Sequence, residues 1–418
     1  MSAEQTDPIS PAIIQRLCDR IELLSSISED QHQLTRPFLS PSMRSVNRVV
    51  SSWMSDAGGA VWEDALGNLH GRWESDKAGA KTLYMGSHLD TVRNAGKYDG
   101  PLGFLMALSV VEACVEQSIA LPFAIEIIAF SDEEGLRFQT AYLGSSFIAG
   151  TLDEKILDKK DAQGKTIAEA IEDWGYDAAE AIRTMRPPEN ALGYIEAHIE
   201  QGPVLEGLDV PAGVVSAIAA QKRLRIRWTG KADHAGTTPM DLRQDALAGA
   251  AELVSVIEKT GQRIDRLRAT VGSLLVEPGA SNVIPSAVIM TLDIRHPNDE
   301  ILEEATDFLH GQAMEIARIR GLSMSWDYMM QTAAVQMDDS LSACLGEAVK
   351  THQDQAPFLF SGAGHDAAAM SAAMPVAMLF VRCREGLSHN PDEYVERSDC
   401  EAATKILFQA INNLRTSG

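Results

Sequence analysis

Cysteine is scarce in this chain. There are five in 418 residues, at positions 18, 114, 344, 383 and 400, and no two form a Cys-x-x-Cys pair. An odd, dispersed set argues against a disulfide framework and fits reduced thiols in a cytoplasm. Positive charge is short as well: 36 Lys and Arg face 59 Asp and Glu, for a net charge of −23. Such a field argues against nucleic acid or an anionic membrane as partner, and an acidic substrate would need a local cation. Long apolar runs are missing. The most apolar stretch, Leu121 to Phe130, is too short to span a bilayer and contains Glu126. Met1 to Pro11 is polar and carries two prolines, so no signal peptide is expected. No internal repeat or low-complexity tract interrupts the rest. What remains, 45% hydrophobic and 23% charged, is globular, and its length predicts two domains.

The chain is organised around Met85-Gly86-Ser87-His88-Leu89-Asp90-Thr91. Lys81 to Met85 before it reads as a strand. Leu102 to Gln117 after it reads as a helix beginning near Gly100. Strand side chains alternate, so His88 and Asp90 share a face, and Asp99 sits where the helix starts. An imidazole and two carboxylates beyond a strand's carboxyl end suit a metal site in an open α/β sheet. A hydrogen-bonded His-Asp pair in a turn is the alternative from this stretch alone.

In chain order, amphipathic helices are expected over Ala12–Ile27 and Pro41–Ala57, with a turn and one cation at Leu34-Thr35-Arg36-Pro37 between them. Ala60–Glu63 and Leu69–Trp73 can form a hairpin around Gly67-Asn68. Phe123–Phe130 reads as a buried strand ending in Ser131-Asp132-Glu133-Glu134-Gly135. Leu152–Tyr176 is charged and helical. Ala191–Glu200 is a strand with Glu196, His198 and Glu200 on one face, and so much same-side polarity needs a ligand to justify it. From about Gly213 the texture changes. Val214–Ala220 and Leu224–Thr229 alternate as antiparallel strands, followed by a helix over Asp241–Lys259. Strands over Ala269–Val276 and Ala287–Arg295, a helix over Asp299–Arg320 and a strand over Ser323–Met329 complete this region. The α/β texture then resumes with a helix near Leu341–His352, the strand Val376–Val381 and a final helix over Asp399–Arg415. The expected fold class is α/β: a mixed-sheet α/β domain (1–212 and 331–418) with an inserted α+β domain (213–330).

His88, Asp90, Asp99, Glu133, Glu134, His198 and His389 fall at outgoing strand ends. Imidazole nitrogens and carboxylate oxygens, with no cysteine among them, suit zinc, and also manganese or cobalt. Together they suffice for two metals sharing Asp99. Asp90 is placed to orient the His88 imidazole. Glu133 and Glu134 are adjacent and must diverge, so one can bind metal while the other stays free as a base, as metal-assisted hydrolysis requires.

Six motifs in order, His88-Leu89-Asp90, Asp99-Gly100, Glu133-Glu134-Gly135, Glu196-Ala197-His198-Ile199-Glu200-Gln201-Gly202-Pro203, His234-Ala235-Gly236-Thr237-Thr238-Pro239-Met240 and Ser388-His389-Asn390-Pro391, resemble the M20 metallopeptidase family. They are most similar to its amidohydrolase branch, which acts on allantoate, N-carbamoyl-L-amino acids and N-carbamoyl-β-alanine. The peptidase branch usually carries a carboxylate where this chain has His198. The resemblance implies one divalent metal on His88, Asp99 and His198, a second on Asp99, Glu134 and His389, and Glu133 as general base. It further makes the mixed-sheet domain a dinuclear-metal catalytic domain and the inserted one a dimerisation or lid domain. It also implies a homodimer in which His234 of a partner subunit serves the oxyanion, and a small ureido substrate whose carboxylate is held by Arg295 and Asn282. Gln201 and His365 would line the pocket. A salt bridge to Asp293 is the competing reading of Arg295. An aminoacylase or dipeptidase is the competing activity.

Overall fold

The computed structural model describes residues 8–417, and most of the polar start read as lacking a signal peptide lies outside them. The strands in chain order are β1 (Ala60–Glu63), β2 (Leu69–Trp73), β3 (Thr82–His88), β4 (Ala124–Phe130), β5 (Ala191–Ile199), β6 (Ala212–Ile218) and β7 (Ala220–Thr229). They continue with β8 (Arg268–Glu277), β9 (Ala287–His296), β10 (Ser323–Thr332), β11 (Val335–Gln336), β12 (Phe358–Ser361) and β13 (Val376–Val381). The chain divides into two compact units. Among the described residues the first comprises 8–216, 337–359 and 365–417, the second 217–336 and 360–364. The fold is mixed α/β, with a large mixed sheet and a second, antiparallel one. Among the described residues no helix is long and apolar enough to cross a membrane.

In the first unit the strand order is β1-β2-β4-β3-β5-β13-β6. β4, β3, β5 and β13 run parallel, and β1, β2 and β6 join antiparallel at the flanks. Every residue of β3, β4 and β13 is buried, as expected of parallel strands covered on both faces. Because the four central strands are parallel, their outgoing loops share one edge of the sheet. The helix Pro101–Glu116 packs against the centre of this sheet and is buried nearly all round. It starts with proline at the first turn, where no hydrogen bond is lost. Gly103 lets it touch β5: a Cβ there would lie 1.8 Å from the Ala197 carbonyl oxygen, next to His198.

The second unit has the order β10-β7-β9-β8, all antiparallel. Along β7, Leu224, Ile226 and Trp228 are buried while Arg223, Arg225 and Arg227 are exposed, a period-two split that leaves one face for packing. That face carries the helices Ala246–Arg263 and Asp299–Arg320, whose buried residues join it in one core. Asn298 caps the second helix, and Gly321, in left-handed conformation, ends it.

Three stretches differ from their reading as sequence. Leu152–Tyr176 is no continuous helix: a 3-10 turn (Glu154–Asp158) and a helix (Ile167–Trp174) flank a tight loop. There the Asp161 carboxylate accepts from the backbone N–H groups of Gln163 and Lys165, and so diverts the backbone from helix. The strand near Val214 pairs with β13 and belongs to the large sheet. Arg36, read as a cation in a turn, is fully buried and donates to the carbonyls of Leu89, Leu24 and Ile27.

A buried charge network sits beside the hairpin. The His70 ring lies 2.9 Å from Glu126 and 3.4 Å from Asp64, and Trp62 stacks on it. Burial alone would lower its pKa, but the hydrogen bonds to the two carboxylates outweigh it and hold the imidazole at about 9. A raised folded pKa gives stability that is complete below the unfolded value and lost as pH rises through the folded one. His70→Ala should therefore cost about 3 kcal/mol more at pH 6 than at pH 10. Urea unfolding of both proteins across that range measures the difference; a pH-independent loss would refute the charge assignment.

Candidate metal centre

Four strand ends deliver the site. His88 ends β3, Glu133 and Glu134 follow β4, His198 lies near the end of β5, and His389 follows β13. Asp99 arrives just before the helix Pro101–Glu116. Gly100 makes this approach possible: its φ is +84°, and a Cβ would lie 2.6 Å from the His88 ring.

Asp99 is the hub. Its Oδ1 is 3.1 Å from His198 Nε2 and 3.7 Å from His88 Nε2, and its Oδ2 is 3.2 Å from His389 Nε2. His389 Nε2 is also 3.3 Å from Glu134 Oε1. Two sets of ligand atoms within 4.8 Å of one another result: His88, Asp99 and His198, and Asp99, Glu134 and His389. Asp99 is common to both. A third set joins Glu133 and Glu134 to His88. A fourth joins Glu196, His198 and His365, although the Glu196 carboxylate is already engaged by the Ala367 N–H and the Ser87 hydroxyl.

The orientation of the rings decides what the cluster can hold. His88 Nδ1 is 3.0 Å from the Asp90 carbonyl, and His198 Nδ1 is 2.9 Å from the Ile199 carbonyl. A carbonyl only accepts, so each Nδ1 carries hydrogen and each Nε2 presents its lone pair. Those two Nε2 atoms face each other at 3.5 Å beside the Asp99 carboxylate. Lone pairs converging on a buried carboxylate are the donor set of a cation, and the N/O composition fits a borderline divalent metal. Without one, the imidazoles would hold protons against an ionised Asp99. Burial would lower the His88 pKa and raise that of Asp99. Hydrogen bonds among the cluster reverse both directions, and those to Asp99 and Glu134 lift His389 to about 10.

Glu133 is 8% exposed. Burial pushes its carboxyl well above the ordinary range; His88 pulls it down, and Glu134, Asp366 and Asp90 push further up. Asp90 faces His88 as its spacing suggests, its Oδ1 3.6 Å from the ring Nδ1, and it has a second task. The hydrogen bond to His88 comes from its backbone, while its carboxylate accepts the N–H groups of Glu133 at 3.0 Å and Glu134 at 3.1 Å. One aspartate thus fixes the backbone of both glutamates. Gln201 Nε2 donates to Asp99 Oδ2 at 3.0 Å. Gln201 and His389 both sit at φ +54°, a left-handed conformation that non-glycine residues hold when their surroundings require it. His365 is buried, its ring edge-on to His198 at 4.5 Å.

Glu393 escaped the sequence reading. Its Oε1 accepts the N–H groups of Tyr98 at 2.8 Å and Asp99 at 3.0 Å, and its Oε2 lies 3.1 Å from the Ser388 hydroxyl. That hydroxyl is also 2.8 Å from Asp99 Oδ2. The acid four residues after His389 was the available signal.

The remaining candidates belong to the second unit. His234 is exposed, and its segment pairs with Val283 while the Asn282 carbonyl accepts the Ala235 N–H, so the two loops travel together. Arg295 is committed: Nε and Nη2 reach Asp293 at 2.7 and 2.9 Å, and Nη1 donates to the Gly362 carbonyl.

A sequence profile described as peptidase family M20/M25/M40 matches residues 84–413. Allantoate deiminase 2 of Glycine max is 39% identical, covering 98% of this chain and 92% of the relative. The N-carbamoyl-L-amino acid amidohydrolase of Geobacillus stearothermophilus is 36% identical over 95% of this chain and 97% of the relative. Among solved structures, a hydantoinase/carbamoylase family amidase from Burkholderia multivorans superposes with a TM-score of 0.89 at 32% identity, covering 96% of this chain and 98% of that one.

Proposed function

This chain belongs to peptidase family M20/M25/M40, and from that premise we propose that it is an amidohydrolase cleaving the ureido C–N bond of allantoate, with release of ammonia and carbon dioxide. An N-carbamoyl-L-amino acid or N-carbamoyl-β-alanine is the alternative substrate of the same chemistry. The reading is carried by two ligand sets that share Asp99, in a chain 39% identical to an allantoate deiminase over nearly its full length.

His88, Asp99 and His198 would hold one divalent ion, and Asp99, Glu134 and His389 the other, zinc before manganese or cobalt. Such ions supply Lewis-acid polarisation of the ureido carbonyl and of water. Glu133 takes the proton of the attacking water on a carboxylate oxygen and returns it to the departing nitrogen. Its burial keeps its proton affinity high enough for both transfers. Asp90 aims it through the backbone N–H groups of Glu133 and Glu134, and Gln201 and Ser388 keep Asp99 turned toward the imidazoles. Arg295 and Asn282 hold the substrate carboxylate, Arg295 by exchanging Asp293 for it, since a guanidinium fork suits either carboxylate. His234 serves the oxyanion from a partner subunit. The second unit is the dimerising one: its edge strand β8 exposes Leu274 and Leu275, an apolar edge that a symmetry mate would cover. The working location is the cytoplasm, where five free thiols persist.

The test is ammonia release from allantoate, an N-carbamoyl-L-amino acid, N-carbamoyl-β-alanine and a dipeptide, with and without added zinc or manganese. Metal-dependent ammonia from allantoate in excess of the others is expected. Dipeptide cleavage without ammonia from any ureido compound would overturn the reading.

A further inference from the structure

The first unit contains a polar cavity that the chemistry above does not use. It has a volume of about 820 Å³, within the range of small-molecule sites. On a protein of net charge −23, its wall is basic. Arg44, Arg48, Arg93, Arg137 and Lys165 line it against only two acids, Glu29 and Asp173. Both acids are occupied: Glu29 accepts the Ser42 N–H at 2.6 Å, and Asp173 pairs with Lys165. Arg137 is paired with Asp161, and Arg44 lies 3.8 Å over the Trp174 ring with one N–H on the Trp174 carbonyl. The side chains of Arg48 and Arg93 have neither a hydrogen bond nor an ion pair among the described residues. Positive groups left uncompensated on a concave wall, in an acidic protein, attract and retain anions.

The wall is also wired to the metal centre. Thr35, which lines the cavity, accepts the Asn94 N–H at 3.1 Å. Its neighbour Arg36 exchanges hydrogen bonds with Thr91 and donates to the Leu89 carbonyl at 2.6 Å, between His88 and Asp90. Arg137 stands three residues after Glu134 and ties that loop to the Phe38 and Leu39 carbonyls. Arg93 and Arg137 thus belong to the two loops that Asp90 joins by hydrogen bonds to Glu133 and Glu134. A ligand held by both would connect them a second time.

We propose that this cavity binds a small phosphorylated metabolite of about nucleotide size, and that its occupancy is transmitted to the loops carrying the metal-binding side chains. Three arginines free of acidic partners (Arg44, Arg48 and Arg93) suit a phosphoryl dianion, whose tetrahedral oxygens accept guanidinium forks from several sides. A planar carboxylate fills one fork. Pro37, Leu136 and Trp174 supply apolar wall for the body of the molecule.

Calorimetry on the metal-loaded protein with inorganic phosphate, AMP and citrate tests the binding. AMP should bind with a submillimolar Kd, and at least tenfold more weakly to an Arg48→Ala, Arg93→Ala variant. Both positions are exposed, so the variant should fold and keep its basal turnover. Equal AMP affinity in the variant would place the ligand on the metals or nowhere specific and overturn the site. Citrate as tight as AMP would overturn the phosphoryl assignment. Saturating AMP should change ureido turnover at least twofold in the parent and leave the variant unaffected; an insensitive parent would refute the transmission. Only this turnover arm rests on the ureido-hydrolase reading, so the two can fail separately.

Discussion

Glu133→Gln should lower kcat by about 10³-fold or more while leaving the metal content intact. The replacement keeps the size of the side chain and the backbone hydrogen bond to Asp90, and it removes only the capacity to take up a proton. General-base catalysis contributes about 10² to 10⁴-fold, and a loss near 10³ corresponds to about 4 kcal/mol of transition-state stabilisation. The two readouts together carry the inference. Glu133 also comes within ligand distance of His88 and Glu134, so a metal ligand at this position is a real alternative. Loss of metal together with activity would make Glu133 a ligand. Full turnover with metal bound would remove it from the chemistry. Only slow turnover with normal metal content identifies the base.

Much of the frame that places this glutamate is legible in the residues. The hairpin and the helix Asp299–Arg320 could be bounded to the residue, because their ends are set by local chemistry: Gly67-Asn68 in the turn, Asn298 at the cap and Gly321 at the stop. The strand ends bearing His88, Glu133 and His198 were visible as well, since an apolar run that stops at an ionisable group marks where a buried strand leaves its sheet. What was not legible depends on contacts distant in sequence or on which atom of a residue does the work. The loop at Asp161 looks helical until its carboxylate takes the backbone N–H groups. Arg36 reads as a cation in a turn until three carbonyls surround it. Asp90 pairs with His88 by spacing, but that its carboxylate also holds the Glu133 and Glu134 backbone is set by contacts 43 and 44 residues away.

Glu393 is the extreme case, and it bears on the second large effect. It reaches the Asp99 amide across 294 residues of sequence, so no local pattern connects the two. Gly96 preserves the space for it: a Cβ there would lie 2.3 Å from the Glu393 carboxyl. Two variants separate the role of Asp99 from that of its support. Asp99→Asn keeps the shape but deletes the charge that three imidazoles face. Because Asp99 belongs to both ligand sets, the variant should lose most of both metals, from about two per chain toward none, with activity falling in proportion. Glu393→Ala leaves every metal-binding side chain in place and frees the backbone that carries Asp99 together with the Ser388 hydroxyl. Partners of this kind typically contribute 10 to 100-fold in metal affinity, so metal should bind more weakly by about that factor, with turnover largely restored at saturating zinc. Elemental analysis and chelator competition measure both. An Asp99→Asn protein retaining two tightly bound metals would show that the cations sit elsewhere. A Glu393→Ala protein with unchanged affinity would show that the helix start at Gly100, with Gln201 and Ser388, suffices to position the shared carboxylate.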